Sequence, residues 1–293
     1  MALKYELLGK SDLKAALKPE SLFSSKRDRG IALVIAGSAD FHGAPVLAAL
    51  ASLRVGAGYV KLYVPKSVLG PARNLSTNII VGALGGKSII CNKQILGQVK
   101  KSDAIVIGMG IGRSTMAQVS ARKIIQSGIS AEKVTVVDAD AISSLKRLPF
   151  GRRPNQNIIA TPHDGEFFRL TGVRPAEKDL GARIKVAVEC ARKLGITVVL
   201  KGHYSIVTDG KIVKVNVAKT SALSTMGTGD VLSGIICGYA ARGAEAFAAA
   251  CAGVYLHSSI GDRLAAKMGN HIIAADVVDA IPLAIKEFDK TIQ

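Results

Sequence analysis

The sequence lacks several features that nucleic-acid-binding, secreted and membrane proteins depend on. It contains no tryptophan, and aromatic residues make up only 4% of its 293 residues. Few side chains are therefore available to stack on nucleotide bases, which argues against binding of single-stranded nucleic acid. No apolar run is long enough to span a bilayer, and the charged start does not resemble a signal peptide. We therefore expect a cytoplasmic protein with no nucleic-acid or membrane partner.

Cysteine is scarce, and acidic residues are outnumbered by basic ones. The four cysteines at 91, 190, 237 and 251 are widely spaced in apolar surroundings, which predicts reduced packing residues rather than disulfides or a metal site. Lys and Arg number 39 against 22 Asp and Glu, a formal net charge of +17. Because these basic residues are scattered, we interpret them as a solvated surface whose field attracts small anions.

The chain is also without a linker, a low-complexity segment or an internal repeat. Hydrophobic residues make up 48% of it, enough for a sizeable core. We therefore predict a single domain over residues 1–293, with a short helical extension over residues 1–29.

Short apolar runs rich in Val and Ile alternate with helical patterns. Runs of this kind are typical of strands buried on both faces of a parallel sheet, so the alternation predicts a doubly wound α/β fold. The predicted strands are 31–36, 59–64, 79–81, 104–107, 134–137, 158–160, 197–200 and 205–207. The predicted helices are 44–56, 116–127 and 182–194, followed by 231–242, 244–267 and 274–287. A hairpin is expected around Asp209-Gly210.

The most informative segment is Ser-Thr-Met-Gly-Thr-Gly-Asp at residues 224–230. We expect Gly227 and Gly229 to form a tight turn, followed by a helix from about Asp230. Backbone N–H groups at such a helix start bind anions, for example phosphate, and the adjacent carboxylate could act as a base. The alternative is a plain loop in which Asp230 only caps the helix.

Four other predicted strand ends carry glycines or polar clusters. They are residues 36–43, 108–112, 161–166 and 201–202. Ligands bind at the carboxyl ends of strands in doubly wound sheets, so we expect these segments to meet the glycine turn at one edge.

Several of these stretches together resemble the nucleotide-dependent NAD(P)H-hydrate dehydratases of the ribokinase-like superfamily. The similarity covers about residues 30–285. The matching stretches are Val-Ile-Ala-Gly-Ser at 34–38, Gly-Ala-Pro to Gly-Ala-Gly at 43–58, Ala-Ile-Val-Ile-Gly-Met-Gly-Ile-Gly at 104–112, Val-Asp-Ala-Asp-Ala at 137–141, Thr-Pro-His-Asp-Gly-Glu-Phe at 161–167, Val-Val-Leu-Lys-Gly at 198–202, Gly-Thr-Gly-Asp-Val-Leu-Ser-Gly at 227–234 and the region from His257 to Pro282. Two departures from the family pattern stand out: Thr220–Met226 replaces a usual Asn-Pro-Gly-Met element, and Asp164 replaces the usual proline after His163.

The resemblance implies a three-layer αβα sandwich with a mostly parallel central sheet. It also implies a hydro-lyase that repairs hydrated nicotinamide cofactors, NADHX and NADPHX, using ADP or ATP as phosphoryl donor. An epimerase would be its functional partner, and no epimerase domain is expected to be fused to this chain. The resemblance further suggests a homotetramer, and the apolar helices around 44–55 and 247–260 support that expectation.

The resemblance also assigns roles to individual residues. Asp230 is the expected general base, beside an anion hole formed by Gly227, Thr228 and Gly229. The hydrated cofactor is expected to contact Ala44, Gly110, His163 and Asp230. The nucleotide is expected to contact Gly229 and the stretch Lys201, Gly202, His203, Tyr204 and Ser205. Glu166 and Asp138 are candidates to orient Mg²⁺ through water. Asp140, Asp262 and Asp276 are interpreted as helix caps or ion-pair partners.

Two alternatives share part of this pattern. A ribokinase-like kinase of a sugar or vitamin alcohol would have the same glycine turn and Asp230. A nucleotide-binding module without catalysis would keep the turn but would not need the carboxylate.

Overall fold

A computed structural model describes residues 4–148, 157–289 and 291–292. The strands are β1 Glu6–Leu7, β2 Glu20–Ser21, β3 Ile31–Ile35, β4 Tyr59–Val64, β5 Ile80–Ala83, β6 Ala104–Ile107, β7 Val134–Val137, β8 Ile158–Ala160, β9 Thr197–Leu200, β10 Tyr204–Thr208, β11 Val213–Val217 and β12 Thr291–Ile292. The helices are α1 Lys10–Ala16, α2 Gly43–Arg54, α3 Leu69–Asn74, α4 Lys93–Lys101, α5 Thr115–Ser130, α6 Asp164–Thr171, α7 Leu180–Leu194, α8 Thr228–Ala241, α9 Ala246–Met268 and α10 Ala274–Ile285.

Ten strands form one sheet in the order β1-β11-β10-β9-β8-β7-β6-β3-β4-β5. The strands from β5 through β3 to β9 are parallel, and β10 and β11 form an antiparallel hairpin beside β9. The chain goes from β3 to β4 on one side and returns to β6 on the other. This reversal opens a crevice at the carboxyl ends of β3 and β6, the usual ligand position in such sheets.

Two hydrophobic clusters cover the two faces of the sheet. One joins the sheet to α2, α8, α9 and α10, and the other joins it to α4, α5, α6 and α7. The predicted three-layer αβα arrangement is confirmed. No helix in the described part of the chain is long and apolar enough to cross a membrane.

Five predicted strands, β4, β6, β7, β8 and β9, agree with the structure at both ends. The predicted hairpin is also present, with Gly210 at φ +90° in its turn. Helices α3, α4 and α6 were not predicted, and among them α6 is the one that adds residues to the site. The eight residues of α6 are too few for a clear helical period, and Pro162 and Gly165 near its start made the segment resemble a loop.

The apolar helix surface that supported the expected tetramer is largely covered within the subunit. In α2, Val46, Ala48 and Ala49 are buried, and in α9 the buried residues include Ala249 and Val254. These side chains belong to the cluster between the sheet and α8. That argument for oligomerisation was therefore wrong, because α8 provides the surface that a partner was expected to provide.

Candidate functional site

Three neighbouring parallel strands bring a carboxylate, a hydroxyl and an ammonium together at the carboxyl edge of the sheet. Asp138 follows β7, Thr161 follows β8 and Lys201 follows β9. Lys201 Nζ lies 3.0 Å from Asp138 Oδ1, and Thr161 Oγ1 donates to the same oxygen at 2.7 Å. Asp138 is 1% exposed, so its charge depends on these partners rather than on water.

The start of α6 adds a second carboxylate to this cluster. His163 is the N-cap, and its backbone N–H donates to Glu166 Oε2 at 2.9 Å. Lys201 Nζ is 3.8 Å from the same oxygen. Burial acts to raise the pKa of Glu166, but the hydrogen bond from His163 and the charge of Lys201 outweigh it and lower that pKa. Glu166 is therefore a buried, ionised side chain.

His163 reaches both Glu166 and the solvent. Its Nε2 atom lies 3.2 Å from Glu166 Oε1, and its side chain is 54% exposed. Its Nδ1 atom accepts a hydrogen bond from the backbone N–H of Gly165 at 3.0 Å. The imidazole therefore has a structural role as a helix cap and still presents a free face to a ligand.

Helix α8 begins opposite Lys201, at the glycine turn that the sequence singled out. Gly227 is its N-cap with φ +91°, and a Cβ there would lie 2.8 Å from Leu47 Cδ1. Only glycine fits both constraints. Thr228 Oγ1 lies 2.7 Å from Leu223 O and 2.9 Å from Thr225 O, which fixes the loop before the helix.

Two details of the predicted turn were wrong. The helix begins at Thr228 rather than at about Asp230. Gly229 therefore lies in the first helical turn and does not have a positive φ. A Cβ there would meet only Lys201 Nζ, at 3.5 Å. The special backbone conformation belongs to Gly227 alone, because the residue before the first turn redirects the chain.

Asp230 lies in that first turn and is the third carboxylate of the cluster. Burial, together with the charges of Asp138 and Glu166, raises its pKa to about 7, although Lys201 acts in the opposite direction. Ser233, one turn later, donates to Asp138 Oδ2 at 2.8 Å and ties the helix to β7. Asp230 can therefore take up a proton near neutral pH, as a general base must.

Lys201 is the ammonium shared by these three carboxylates. Burial acts to lower its pKa, but Asp138 and Glu166 outweigh burial and raise it above its usual value. Its side chain is only 19% exposed. The cluster thus keeps one fixed positive charge beside the start of α8, where an anion would bind.

A cavity of about 820 Å³ opens beside this cluster. That volume is in the range of small-molecule sites. Its walls include His163 and, among the predicted nucleotide and anion-hole residues, Lys201, Gly202, His203, Ser205, Thr228 and Gly229. Tyr204 does not line it, and its ring instead lies 4.6 Å from that of His203.

The other predicted cofactor contacts, Ala44, Gly110 and Asp230, do not line this cavity, and neither does Gly227 of the predicted anion hole. Ala44 lies in the first turn of α2, and Gly110 follows β6 with φ +65°. The Phe41 side chain packs on Gly110, since a Cβ there would lie 2.5 Å from Phe41 Cβ. Ala44 follows β3 and Gly110 follows β6, so both lie beside the crevice at the chain reversal.

Direct metal ligation does not fit Asp138 and Glu166. Both oxygens of Asp138 accept hydrogen bonds, and both oxygens of Glu166 face His163. Within the described ranges, no group of three or more His, Cys, Asp and Glu side chains is arranged to hold a metal ion. The donor set fits only a hydrated cation that is held through water.

The interpretation of three further acidic residues is confirmed for two of them. Asp140 pairs with Arg113 at 3.0 Å, and Asp276 caps α10 by accepting from the Ile273 N–H at 2.8 Å. Asp262 was assigned the same way, but its buried Oδ1 has no hydrogen-bond partner in the described part of the chain. It lies inside α9 rather than at an end, where caps act.

Sequence reasoning assigned no role to Arg183, Ser233 or His257. Arg183 is 1% exposed and bonded to three segments of the site. Burial lowers the pKa of His257 to about 4, so this cavity-lining imidazole is neutral. Only Ser233 had a local signal, since it lies three residues after Asp230 and therefore on nearly the same helix face.

Known proteins are similar to most of this chain. A family model described as NAD(P)H-hydrate dehydratase matches residues 32–283 of the chain. The ADP-dependent (S)-NAD(P)H-hydrate dehydratase of Nitrosopumilus maritimus is 33% identical over 270 residues, which cover 91% of this chain and 92% of that protein.

Other relatives are longer. The bifunctional NAD(P)H-hydrate repair enzyme of Pyrobaculum aerophilum is 33% identical over 267 residues, which are 90% of this chain and 52% of that enzyme. The chain thus spans about half the length of the first curated relatives that it matches.

Solved structures are similar over nearly the whole chain. A ribokinase-like superfamily protein from Enterococcus faecalis superposes with a TM-score of 0.84 at 25% identity and covers 99% of both chains. The ADP/ATP-dependent NAD(P)H-hydrate dehydratase of Bacillus subtilis, co-crystallised with ATP and Mg²⁺, has a TM-score of 0.82 at 26% identity and covers 98% of this chain and 100% of that one.

Proposed function

The chain belongs to the NAD(P)H-hydrate dehydratase family, and from that premise we propose that it dehydrates (S)-NADHX and (S)-NADPHX to NADH and NADPH. In this proposal ADP or ATP donates a phosphoryl group, and the other products are phosphate and AMP or ADP, respectively. The enzyme is then a hydro-lyase that repairs damaged nicotinamide cofactors.

The observation that carries this proposal is the position of Asp230 in the first turn of α8, with its pKa raised by burial to about 7. A carboxylate with that pKa can accept a proton from an alcohol as the alcohol attacks phosphorus. The adjacent helix start provides N–H groups for the phosphoryl oxygens, at Gly227, Thr228 and Gly229.

The chemistry has two halves. The hydroxyl of the hydrated ring attacks the terminal phosphorus of the nucleotide, its proton passes to Asp230, and the phosphoanhydride bond breaks. The new phosphate ester then leaves the ring as phosphate, and loss of a ring proton restores the double bond. Phosphorylation converts hydroxide, a poor leaving group, into phosphate.

Lys201 neutralises the charge that develops on the transferred group, and the stretch from Gly202 to Ser205 contacts the nucleotide. His163, Ala44 and Gly110 contact the hydrated cofactor. The free face of His163 supports its part of this assignment, because the side chain lines the same cavity as Lys201. Electrostatic stabilisation of this kind dominates catalysis of phosphoryl transfer.

We propose that Mg²⁺ enters with the nucleotide and that Asp138 and Glu166 hold it through water. When bound, it would neutralise phosphate charge. The excess of three carboxylates over one ammonium in the cluster supports an additional cation.

The test is to incubate the purified protein with hydrated NADH, Mg²⁺ and either ADP or ATP, and to follow NADH absorbance and free phosphate. We expect both signals to rise together and only when nucleotide is present. Consumption of nucleotide with a stable phosphorylated alcohol as product would instead indicate a kinase, the main alternative. Nucleotide binding without turnover of any acceptor would indicate a binding module.

Three wider assignments accompany this function. We propose that an NAD(P)HX epimerase acts with this protein, because the dehydration named in the relatives is specific for the (S) form. We also propose a cytoplasmic location, where nicotinamide cofactors are used. We propose a homotetramer on the family resemblance alone, which light scattering at physiological salt tests.

A further inference from the structure

Arg183, on α7, is a fully buried arginine that contacts both sides of the site. Its side chain is 1% exposed. Its Nη2 atom donates to Asp164 Oδ1 at 2.7 Å and to the backbone carbonyl of Lys201 at 2.6 Å. Its Nε atom donates to the carbonyl of Tyr204 at 2.8 Å. One side chain therefore connects the start of α6 to both ends of the turn 201–204.

These contacts hold the backbone at or beside residues that have proposed roles. Asp164 directly follows His163, and Lys201 supplies the shared ammonium of the carboxylate cluster. The turn 201–204 joins β9 to β10 and forms part of the cavity wall. Its two terminal carbonyls bond to Arg183, which fixes the path of the turn from behind.

The space beneath the turn also fits the arginine closely. A Cβ at Gly202 would lie 2.5 Å from Arg183 Nη2, so glycine is needed for the turn to pass over the guanidinium. Gly202 itself closes the turn through Ser205, whose hydroxyl donates to the Gly202 carbonyl at 2.9 Å.

Fold stability alone does not account for a charge at this position. A buried ion pair is often no more stabilising than apolar side chains of similar volume. Here Asp164 is 40% exposed, and the buried Nη1 atom of Arg183 has no partner in the described part of the chain, which adds to the cost of burial. The geometry that Arg183 imposes is therefore its main contribution.

We propose that Arg183 is a positioning residue that joins the turn 201–204, whose first three residues line the nucleotide side of the cavity, to the His163 wall of that cavity. The guanidinium provides a rigid planar fork that reaches two carbonyls and one carboxylate at once. Lysine cannot reproduce this arrangement, because its single ammonium lies at one point. The part of the inference that concerns nucleotide affinity rests on the proposed function, whereas the part that concerns the turn does not.

The first experiment measures how well the turn 201–204 is ordered in the absence of any ligand. Amide hydrogen exchange is compared in wild type, Arg183→Met, Arg183→Lys and Asp164→Asn. We expect faster exchange in Arg183→Met at residues 202–205 and at the start of α6, with the amides of β6 and β7 as an internal reference. Arg183→Lys and Asp164→Asn should show the same change to a smaller degree.

Arg192→Met is the matched control. Arg192 lies on the same helix and also donates its Nε to a carbonyl of the β10–β11 hairpin, that of Gly210 at 2.6 Å. It does not line the candidate cavity. Arg192→Met should leave exchange at residues 202–205 unchanged. Unchanged exchange there in Arg183→Met would overturn the inference, and Arg183→Lys and Asp164→Asn decide the matter if Arg183→Met does not fold.

The second experiment measures ADP and ATP affinity by calorimetry, together with KM and kcat. We expect the nucleotide Kd to rise by about 10- to 100-fold in Arg183→Met, the range for loss of a hydrogen bond to a charged group. Arg183→Lys should recover part of this loss, and Arg192→Met should bind as wild type does. A variant that melts earlier but binds nucleotide normally would make Arg183 purely structural. Failure of the proposed function looks different: the wild type would then bind nucleotide without dehydrating its substrate.

Discussion

Lys201 and Asp138 form a buried ion pair, 3.0 Å apart, that links the ends of β9 and β7. The same ammonium lies 3.8 Å from Glu166, and its charge also opposes the raised pKa of Asp230. Three carboxylates therefore depend on one cation. Any change to Lys201 will alter the protonation of Asp230 as well as the charge that faces an anion.

Replacing Lys201 by methionine should shift the pH dependence of catalysis. Because Lys201 lowers the pKa of Asp230, its removal raises that pKa above about 7, and the rising limb of kcat/KM moves to higher pH. Removing one partner of a buried pair also costs about 3–5 kcal/mol of stability. Lys214→Met is the control, since Lys214 pairs with Glu6 and Asp12. A rising limb at the wild-type pH would contradict the coupling.

Asp230→Asn should remove most turnover while the protein still folds. Loss of a general base typically reduces the rate by about 10²- to 10⁴-fold. Nucleotide affinity should change far less, since the N–H groups of the glycine turn remain. Asp279→Asn is a control at an exposed ion pair with Arg54. Dehydration at a near-normal rate in Asp230→Asn would remove Asp230 from the mechanism.

The raised pKa of Asp230 should also make stability depend on pH. The folded carboxyl has a pKa of about 7, whereas the unfolded carboxyl has its ordinary value of 3.8. Between these values the folded state binds more protons, so stability falls as pH rises from about 4 to about 7.

Asp230→Asn should lack this loss, and above pH 7 its free energy of unfolding should exceed that of the wild type by on the order of 4 kcal/mol. Urea unfolding at pH 4, 6 and 8 measures the difference. The prediction fails if the two proteins keep a constant difference across this range.

Comparing Gly227→Ala with Gly229→Ala should distinguish the effect of backbone strain from the effect of a side chain near the ligand. Gly227 has φ +91°, and a Cβ there would approach Leu47 and Ala274 within 3 Å, so the alanine should destabilise the fold and disturb the anion hole. Alanine at Gly229, in the first turn of α8, should leave stability nearly unchanged. Calorimetry with ADP and thermal melting provide the comparison, and equal losses in the two variants would show that the strain argument is wrong.

Gly229→Val should weaken nucleotide binding because the valine side chain would meet the shared ammonium of Lys201. A Cβ at this position would lie 3.5 Å from Lys201 Nζ, so the larger side chain would extend toward that ammonium and into the cavity. Nucleotide affinity should therefore fall more than affinity for the hydrated cofactor, which calorimetric titration with each ligand measures.

His163→Ala should raise the KM for the hydrated cofactor and leave nucleotide affinity unchanged. The exposed imidazole of His163, at the start of α6, lines the cavity, whereas the nucleotide stretch 201–205 lies in the turn after β9 and at the start of β10. His163→Asn is the informative partner variant, because asparagine can still cap α6. If His163→Asn restores the KM completely, the role of His163 is structural, and if it restores only stability, His163 contacts the substrate.

The sequence alone determined the sheet, the edge where the site forms and the glycine turn. Runs rich in Val and Ile, such as 104–107 and 134–137, are strands with the predicted ends, because a short apolar segment between turn residues has few other favourable conformations. The position of Asp230 after the glycine turn could also be read from the sequence, because Gly227 and Asp230 lie only three residues apart. The resemblance to the dehydratases was readable for the same reason, as it consists of short contiguous motifs.

Only the tertiary structure decided how the charges are shared. Asp138, Lys201 and Asp230 are far apart in the chain, and nothing local to any of them shows that burial raises the pKa of Asp230 to about 7. Arg183 has the sequence appearance of an ordinary helix residue, and its contacts with Asp164, Lys201 and Tyr204 arise only when α7 packs behind the turn. Local periodicity determines which segments form, whereas burial and long-range pairing determine what their side chains can do.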